Sequence, residues 1–137
     1  MKVKVLTIFP EIFPGFLGYS LTGKALSEGK WSIETVNIRD YAFDRHGSVD
    51  DTPCGGGAGM IMRADVLGAA VKANYRGGRI IYMSPRGKPL TQSKVHELSQ
   101  EENITIICGR FEGVDERVLE AYDVEEISIG DYILTGG

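Results

Sequence analysis

The sequence is short of cysteine, and its two cysteines, Cys54 and Cys108, lie far apart and outside any metal-ligand spacing. Cys108 sits in the apolar run "ITIICG", the setting of a buried, reduced thiol. Cys54 precedes a glycine loop, where a catalytic thiolate would need a positive neighbourhood that the sequence does not display. An excess of positive charge is missing too. Lys and Arg total 15 against 19 Asp and Glu, a formal net charge of −4. That balance argues against a general-purpose nucleic-acid binder, which would be basic, and leaves room for a local basic patch. No apolar run approaches the roughly 20 residues of a bilayer-spanning helix. The opening "MKVKVLTIF" reads as a strand and not as a secretory signal, so a cytoplasmic protein with no membrane partner is expected.

The common nucleotide and metal motifs are also lacking. "CGGGAGM" (54–60) has no glycine in the third place of G-x-G-x-x-G and follows a loop instead of a clear strand. No G-x-x-x-x-G-K-[ST] occurs, and no H-E-x-x-H or Cys/His cluster offers a metal site. This excludes a standard dinucleotide fold and a P-loop enzyme.

What is present is an alternation of strand-length apolar runs with helical periods. The strand candidates are 2–9, 31–38, 79–84, 104–108 and 124–129. Between them, helices are expected over Phe16–Glu28, Ala64–Ala73, Thr91–Gln100 and Val114–Tyr122. Gly29 would stop the first and Thr91 would cap the third, while Val114, Val118, Leu119 and Tyr122 face inward on the last. At 137 residues this is one domain, 1–137, of the α/β class: a mainly parallel sheet flanked by helices. The stretch 40–62 has no period, and a loop of that length in a compact domain tends to be functional.

Glycine is abundant, at 18 residues, and three of the strand candidates end in turns that carry it. "MSPRGKP" follows 79–82, "GRFEGVD" follows 104–108, and "GDYILTGG" follows 124–129. In an open α/β sheet, ligands settle beyond the carboxyl ends of the strands. Three glycine-bearing turns there would present main-chain donors and acceptors to a flat, hydrogen-bonding ligand such as an adenine nucleoside. Turn-making alone is the competing reading of each glycine. In the 40–62 loop, Asp40, Asp44, Asp50 and Asp51 crowd with Arg39, Arg45 and His46, as a solvated charged loop or a cation site. His96 reads as surface. Glu112 lies in the second turn, where a carboxylate can accept from a guanine edge. Asp115 and Glu116 also suit the first turn of the following helix as dipole complements.

"TIFPEIF", "DRHGSVDDTPCGGGAGM", "YMSPRGKPL", "CGRFEGVDERV" and "SIGDYILTGG" occur in the order and spacing of the bacterial tRNA (guanine-N1)-methyltransferases. The chain resembles that TrmD-type family from about residue 5 to its last residue. The resemblance implies a SPOUT-class fold with a deep trefoil knot, which no periodicity foretells. It implies S-adenosylmethionine among the three turns: Tyr82, Ser84 and Pro85 on one wall, Gly109 and Glu112 on another. Ile129, Gly130, Asp131, Tyr132, Ile133, Leu134 and Gly136 would form the third. It implies transfer of the methyl group to N1 of the guanosine immediately 3′ of the tRNA anticodon, position 37. Arg45, Gly55, Gly57, Gly59, Arg110 and Glu112 would serve the RNA. It also implies a homodimer, leaves a role for Mg2+ open, and places the general-base aspartate and a helical tRNA-gripping domain beyond Gly137. Against the family pattern, Cys54 stands where tyrosine is usual, Ala58 for proline and Phe111 for tyrosine.

A non-catalytic RNA-binding or dimerisation module derived from such an enzyme is the alternative. A nucleotide-binding phosphotransferase is disfavoured because the phosphate cradle is missing.

Overall fold

A computed structural model describes residues 1–51, 61–109 and 113–133. Five strands form one parallel sheet: β1 (Lys2–Thr7), β2 (Ser32–Asn37), β5 (Arg79–Pro89), β6 (Asn103–Ile107) and β7 (Glu125–Ser128), in the order β2-β1-β6-β5-β7. β3 (Asp50–Asp51) and β4 (Ile61–Met62) make a separate antiparallel pair within the stretch that lacked a period. The helices are α1 (Ser20–Ser27), α2 (Ala64–Asn74), α3 (Gln92–Ser99) and α4 (Glu116–Ala121).

The two faces of the sheet follow from the period of two along each strand. Ile80 and Tyr82 of β5 and Ile107 of β6 turn to one face, where Val66, Leu67, Ala70 and Val71 of α2 and Val118 and Leu119 of α4 complete the main core. Ile81, Ile104 and Ile127 turn to the other, against Leu98 of α3. Leu6, Met62, Leu67 and Ile107 are wholly buried. Each such side chain contributes about 1.5–3 kcal/mol by leaving water.

Several elements differ from the sequence expectation. The first helix is broken: a 3-10 turn covers Gly15–Gly18, Tyr19 is extended and α1 begins at Ser20, which takes a φ of 55°. Two glycines lower helix propensity there, and no residue of α1 is buried to hold a continuous helix. α1 does end before Gly29, and Thr91 does cap α3, its hydroxyl accepting from the Lys94 amide at 3.1 Å. α4 starts two residues late because Asp115 is its cap, while Val114 bridges to Met62.

The largest difference is β5, which runs on to Pro89. Met83 pairs with Ile127 of β7, and Lys88 then pairs with Ile127 again, Pro89 with Ser128. A strand residue has one bonded neighbour on each edge, so 81–83 and 88–89 flank β7 on opposite edges and 84–87 crosses it. Leu90 extends the second flank, its amide donating to the Ser128 carbonyl at 2.8 Å. Gly87 permits the crossing: a Cβ there would stand 2.5 Å from the Glu126 carbonyl carbon and from the Ile127 nitrogen.

Candidate functional site

Parallel register brings the three turns to one edge. Tyr82 pairs with Ile107 on β6 and with Glu126 on β7, so these three residues share a level. Two residues further along each strand come Ser84, Gly109 and Ser128. The 84–87 turn within β5 and the turns after β6 and β7 therefore leave the sheet side by side at its carboxyl edge.

Direct contacts join the first two, and the third is braced within itself. Gly109 lies against the Tyr82 ring so closely that a Cβ would sit 2.6 Å from Cε2, whereas a Cβ on Gly113 would make only ordinary contact with the Tyr82 hydroxyl, at 3.7 Å. Burial, with the nearby Glu126 carboxylate, pushes the Tyr82 phenol above its ordinary 10.0, so the ring enters the site as a neutral, largely apolar wall. Ser84 is buried and its hydroxyl accepts from the Arg86 amide at 3.2 Å, while Pro85 is exposed beside it. On the third turn, the Ser128 hydroxyl donates to the Gly130 carbonyl at 2.7 Å and accepts from the Gly130 amide at 3.2 Å. The Tyr132 ring folds over Gly130. Ile129, Tyr132 and Ile133 are 56%, 53% and 85% exposed, an apolar cluster at the rim, and Asp131 is exposed beside them.

The turn after β6 is held from two further sides. The Met62 amide donates to the Gly113 carbonyl at 3.0 Å, and the Arg63 amide to Val49 at 2.7 Å. The long loop thus returns to the sheet beside the second turn, a proximity that sequence order concealed. Asp115 is buried, and its carboxylate accepts from the Arg117 amide at 2.9 Å and from the guanidinium at 2.7 and 3.0 Å. Hydrogen bonding from Arg117 holds that carboxyl below its usual value of 3.8.

Of the residues expected at the site, Tyr82, Ser84, Pro85, Gly109, Ile129, Gly130, Asp131, Tyr132 and Ile133 fall on this edge. Glu112, Arg110, Leu134, Gly136, Gly55, Gly57 and Gly59 lie outside the described residues, as do Cys54, Ala58 and Phe111. Arg45 is exposed on a turn closed by Asp44, which accepts from the Ser48 amide at 2.8 Å and hydroxyl at 2.6 Å. That gives Arg45 solvent exposure and not a place among the three turns. Cys108 is a free thiol beneath the edge, pushed by burial up to about 11, and so inert.

Sequence reading passed over Arg86. Its guanidinium meets Glu116 of α4 at 2.8 Å and Glu126 of β7 at 3.4 Å. Only the dipeptide R-G inside a turn hinted at it. Among the described residues no group of three or more His, Cys, Asp or Glu could hold a metal ion, and no helix is long and apolar enough to cross a membrane. Two depressions of about 470 and 510 Å3 lie elsewhere, one between Tyr75, Arg79, Lys88 and residues 122–125 and one around Lys2, Lys4 and Asn103. Both are lined mainly by polar groups, and of the three glycine turns only Lys88 appears in their lining, so neither displaces the carboxyl edge as the candidate site.

A family profile described as tRNA (Guanine-1)-methyltransferase TrmD matches residues 1–137. Similar curated proteins bear the name tRNA (guanine-N(1)-)-methyltransferase. That of Bartonella tribocorum is 61% identical over 136 residues, covering 99% of this chain and 59% of the relative. That of Rhizobium johnstonii is 58% identical over 138 residues, covering 99% and 57%. That of Brucella ovis is 61% identical over 133 residues, covering 97% and 55%. The chain spans less than three fifths of the length of these relatives. With the profile matched from end to end and the turns that carry the motifs gathered on one sheet edge, the chain belongs to the tRNA (guanine-1)-methyltransferase TrmD family.

Proposed function

We propose that this chain carries the cofactor- and guanine-binding part of a tRNA (guanine-N1)-methyltransferase that acts at N1 of the guanosine 3′ of the anticodon, position 37. The observation that carries the reading is the convergence of the 84–87 turn within β5 with the turns after β6 and β7, with Tyr82 beneath Gly109 and Gly113. The residues present fit an adenine nucleoside with a charged tail. Gly109 lets the Tyr82 ring pack flush against the second turn, Ser84 offers a buried hydroxyl, and Ile129, Tyr132 and Ile133 offer apolar surface. When bound, S-adenosylmethionine supplies an electrophilic methyl group on a sulfonium.

This chain's share of the chemistry is binding and orientation. The glycine turns fix the nucleoside through main-chain groups, and the apolar rim excludes water from the transfer path. Glu112, three residues past Gly109, is assigned to the cofactor wall and the RNA, with Arg45, Arg110 and the glycines at 55, 57 and 59 completing the RNA side. The return of the long loop to Gly113 supports that grouping. Mg2+ is given no ligand among the described residues.

We further assign the fold to the SPOUT class with a trefoil knot. The double engagement of Ile127 and the Gly87 crossing support a threaded β7. A homodimer is proposed on the exposed apolar surface of the first connection, where Ile12, Phe16, Tyr19 and Leu21 are 58%, 85%, 76% and 82% exposed. The cytoplasm, where tRNA is modified, is the proposed location.

The test is methyl transfer by the full-length protein to a tRNA transcript with guanosine at position 37 and to one with adenosine there. Label confined to guanine N1 of the first is expected. Label elsewhere, or none with saturating cofactor, would refute the assignment.

A further inference from the structure

The turn that crosses β7 is held at its two ends, by the buried Ser84 and by Gly87 against the β7 backbone. Its residues 84–87 lie beyond the ladder that binds 81–83, and Pro85 and Arg86 are exposed. A buried serine at its base and a glycine at its far end shape it, yet neither ties it to the turn after β6. Arg86 does. One guanidinium nitrogen, Nη1, reaches Glu116 in the first turn of α4, and Nη2 reaches Glu126 on β7. α4 begins directly after the β6 turn and β7 leads into the third, so the guanidinium links the 84–87 turn to the elements that carry the other two.

Glu126 adds a second, independent observation. Its Oε1 faces Arg86, while its Oε2 is buried and has no hydrogen-bond partner among the described residues. A carboxylate oxygen in that position depends on a neighbouring cation to remain in place. Glu126 also shares its level in the sheet with Tyr82, the ring beneath Gly109. Without the guanidinium, an uncompensated carboxylate would stand beside the Tyr82 wall, and the crossing turn would lose its link to α4.

We propose that Arg86 is a positioning residue for the cofactor cradle, holding the 84–87 turn in register with the turns after β6 and β7 through Glu116 and Glu126. The inference rests on the assignment of the carboxyl edge to S-adenosylmethionine. Because Arg86 and Glu116 are largely exposed, with 60% and 63% of their side chains accessible, their pair adds little to global stability and weakens in salt. Its effect is on which arrangement of the turn is populated, and that is read as cofactor affinity.

The experiment is calorimetric titration of S-adenosylmethionine into the full-length protein and into its Arg86→Gln, Arg86→Lys and Glu116→Gln variants, at low and high salt. The Kd of Arg86→Gln should rise about three- to tenfold at low salt. Lysine should restore part of the loss, since it keeps the charge but not the fork. Combining Arg86→Gln with Glu116→Gln should cost no more than Arg86→Gln alone. In turnover, the KM for cofactor should rise while kcat and the KM for tRNA stay. Wild-type protein giving no heat would defeat the site assignment itself. Wild-type binding with an unchanged Kd in Arg86→Gln would defeat only the inference. A higher KM for tRNA at constant cofactor Kd would move Arg86 to the RNA side and overturn it. So would a loss of affinity matched by a loss of thermal stability and absent in Glu116→Gln.

Discussion

Gly87 shows how a single missing side chain governs this architecture. Its backbone lies against the backbone of β7 at Glu126 and Ile127, so an added methyl would meet main chain that cannot rotate away. Gly87→Ala should therefore destabilise the protein by about 1–3 kcal/mol, the cost of overpacking, seen as a lower thermal midpoint. An unchanged midpoint would mean that the crossing turn yields easily and that β7 is not gripped by it. Gly109 differs, because its neighbour is the Tyr82 ring and a ring can shift. At this scale the sequence was partly legible. Glycines after apolar runs marked the turns, but Arg86 was invisible because Glu116 and Glu126 lie 30 and 40 positions away. A long-range ion pair leaves no local pattern.

Among elements, α4 is short, and its start is set by Asp115, with a side chain 8% exposed that caps the helix and pairs with Arg117. The spacing suggested that Asp115 and Glu116 served the helix dipole. The structure separates them: Asp115 is the cap, and Glu116 in the first turn faces Arg86. Asp115→Ala should cost about 1–2 kcal/mol as a lost cap, and Asp115→Asn less, because an acceptor remains. Its pH dependence has a definite sign. The folded carboxyl titrates below its ordinary 3.8, so its contribution is present above that value and is lost as pH falls through the folded one. Urea unfolding of the wild type and of Asp115→Ala should converge as pH drops below 3.8. Parallel curves would show that the cap carries no net charge linkage. The expected first helix failed at this scale for a related reason. Its apolar residues Phe16, Tyr19 and Leu21 are exposed and find no core among the described residues, so little holds a continuous helix through Gly15–Gly18.

At the level of the whole molecule, that same uncovered surface becomes a prediction. If Phe16 and Leu21 pack against a second copy, Phe16→Asp should leave the subunit folded, because Phe16 is 85% exposed and contributes no core. It should weaken self-association by about tenfold or more. Sedimentation of the full-length protein should then show half the wild-type mass, with unchanged far-ultraviolet circular dichroism. A wild-type monomer, or an unaffected dimer, would place the subunit contact elsewhere or remove it.

The amino-acid order alone determined the alternation of strands and helices, the parallel sheet it implies and the positions of the glycine turns. Those features are local: apolar period, cap chemistry and chain-breaking residues act within a few positions of one another. The family resemblance was legible for the same reason, being carried by short contiguous strings. Only the tertiary structure decided that 84–87 crosses β7, that Met62 returns to Gly113, and that Arg86 meets Glu116 and Glu126. These contacts join residues far apart in the chain. Their energies arise once the sheet has set its register and brought three carboxyl ends to one edge.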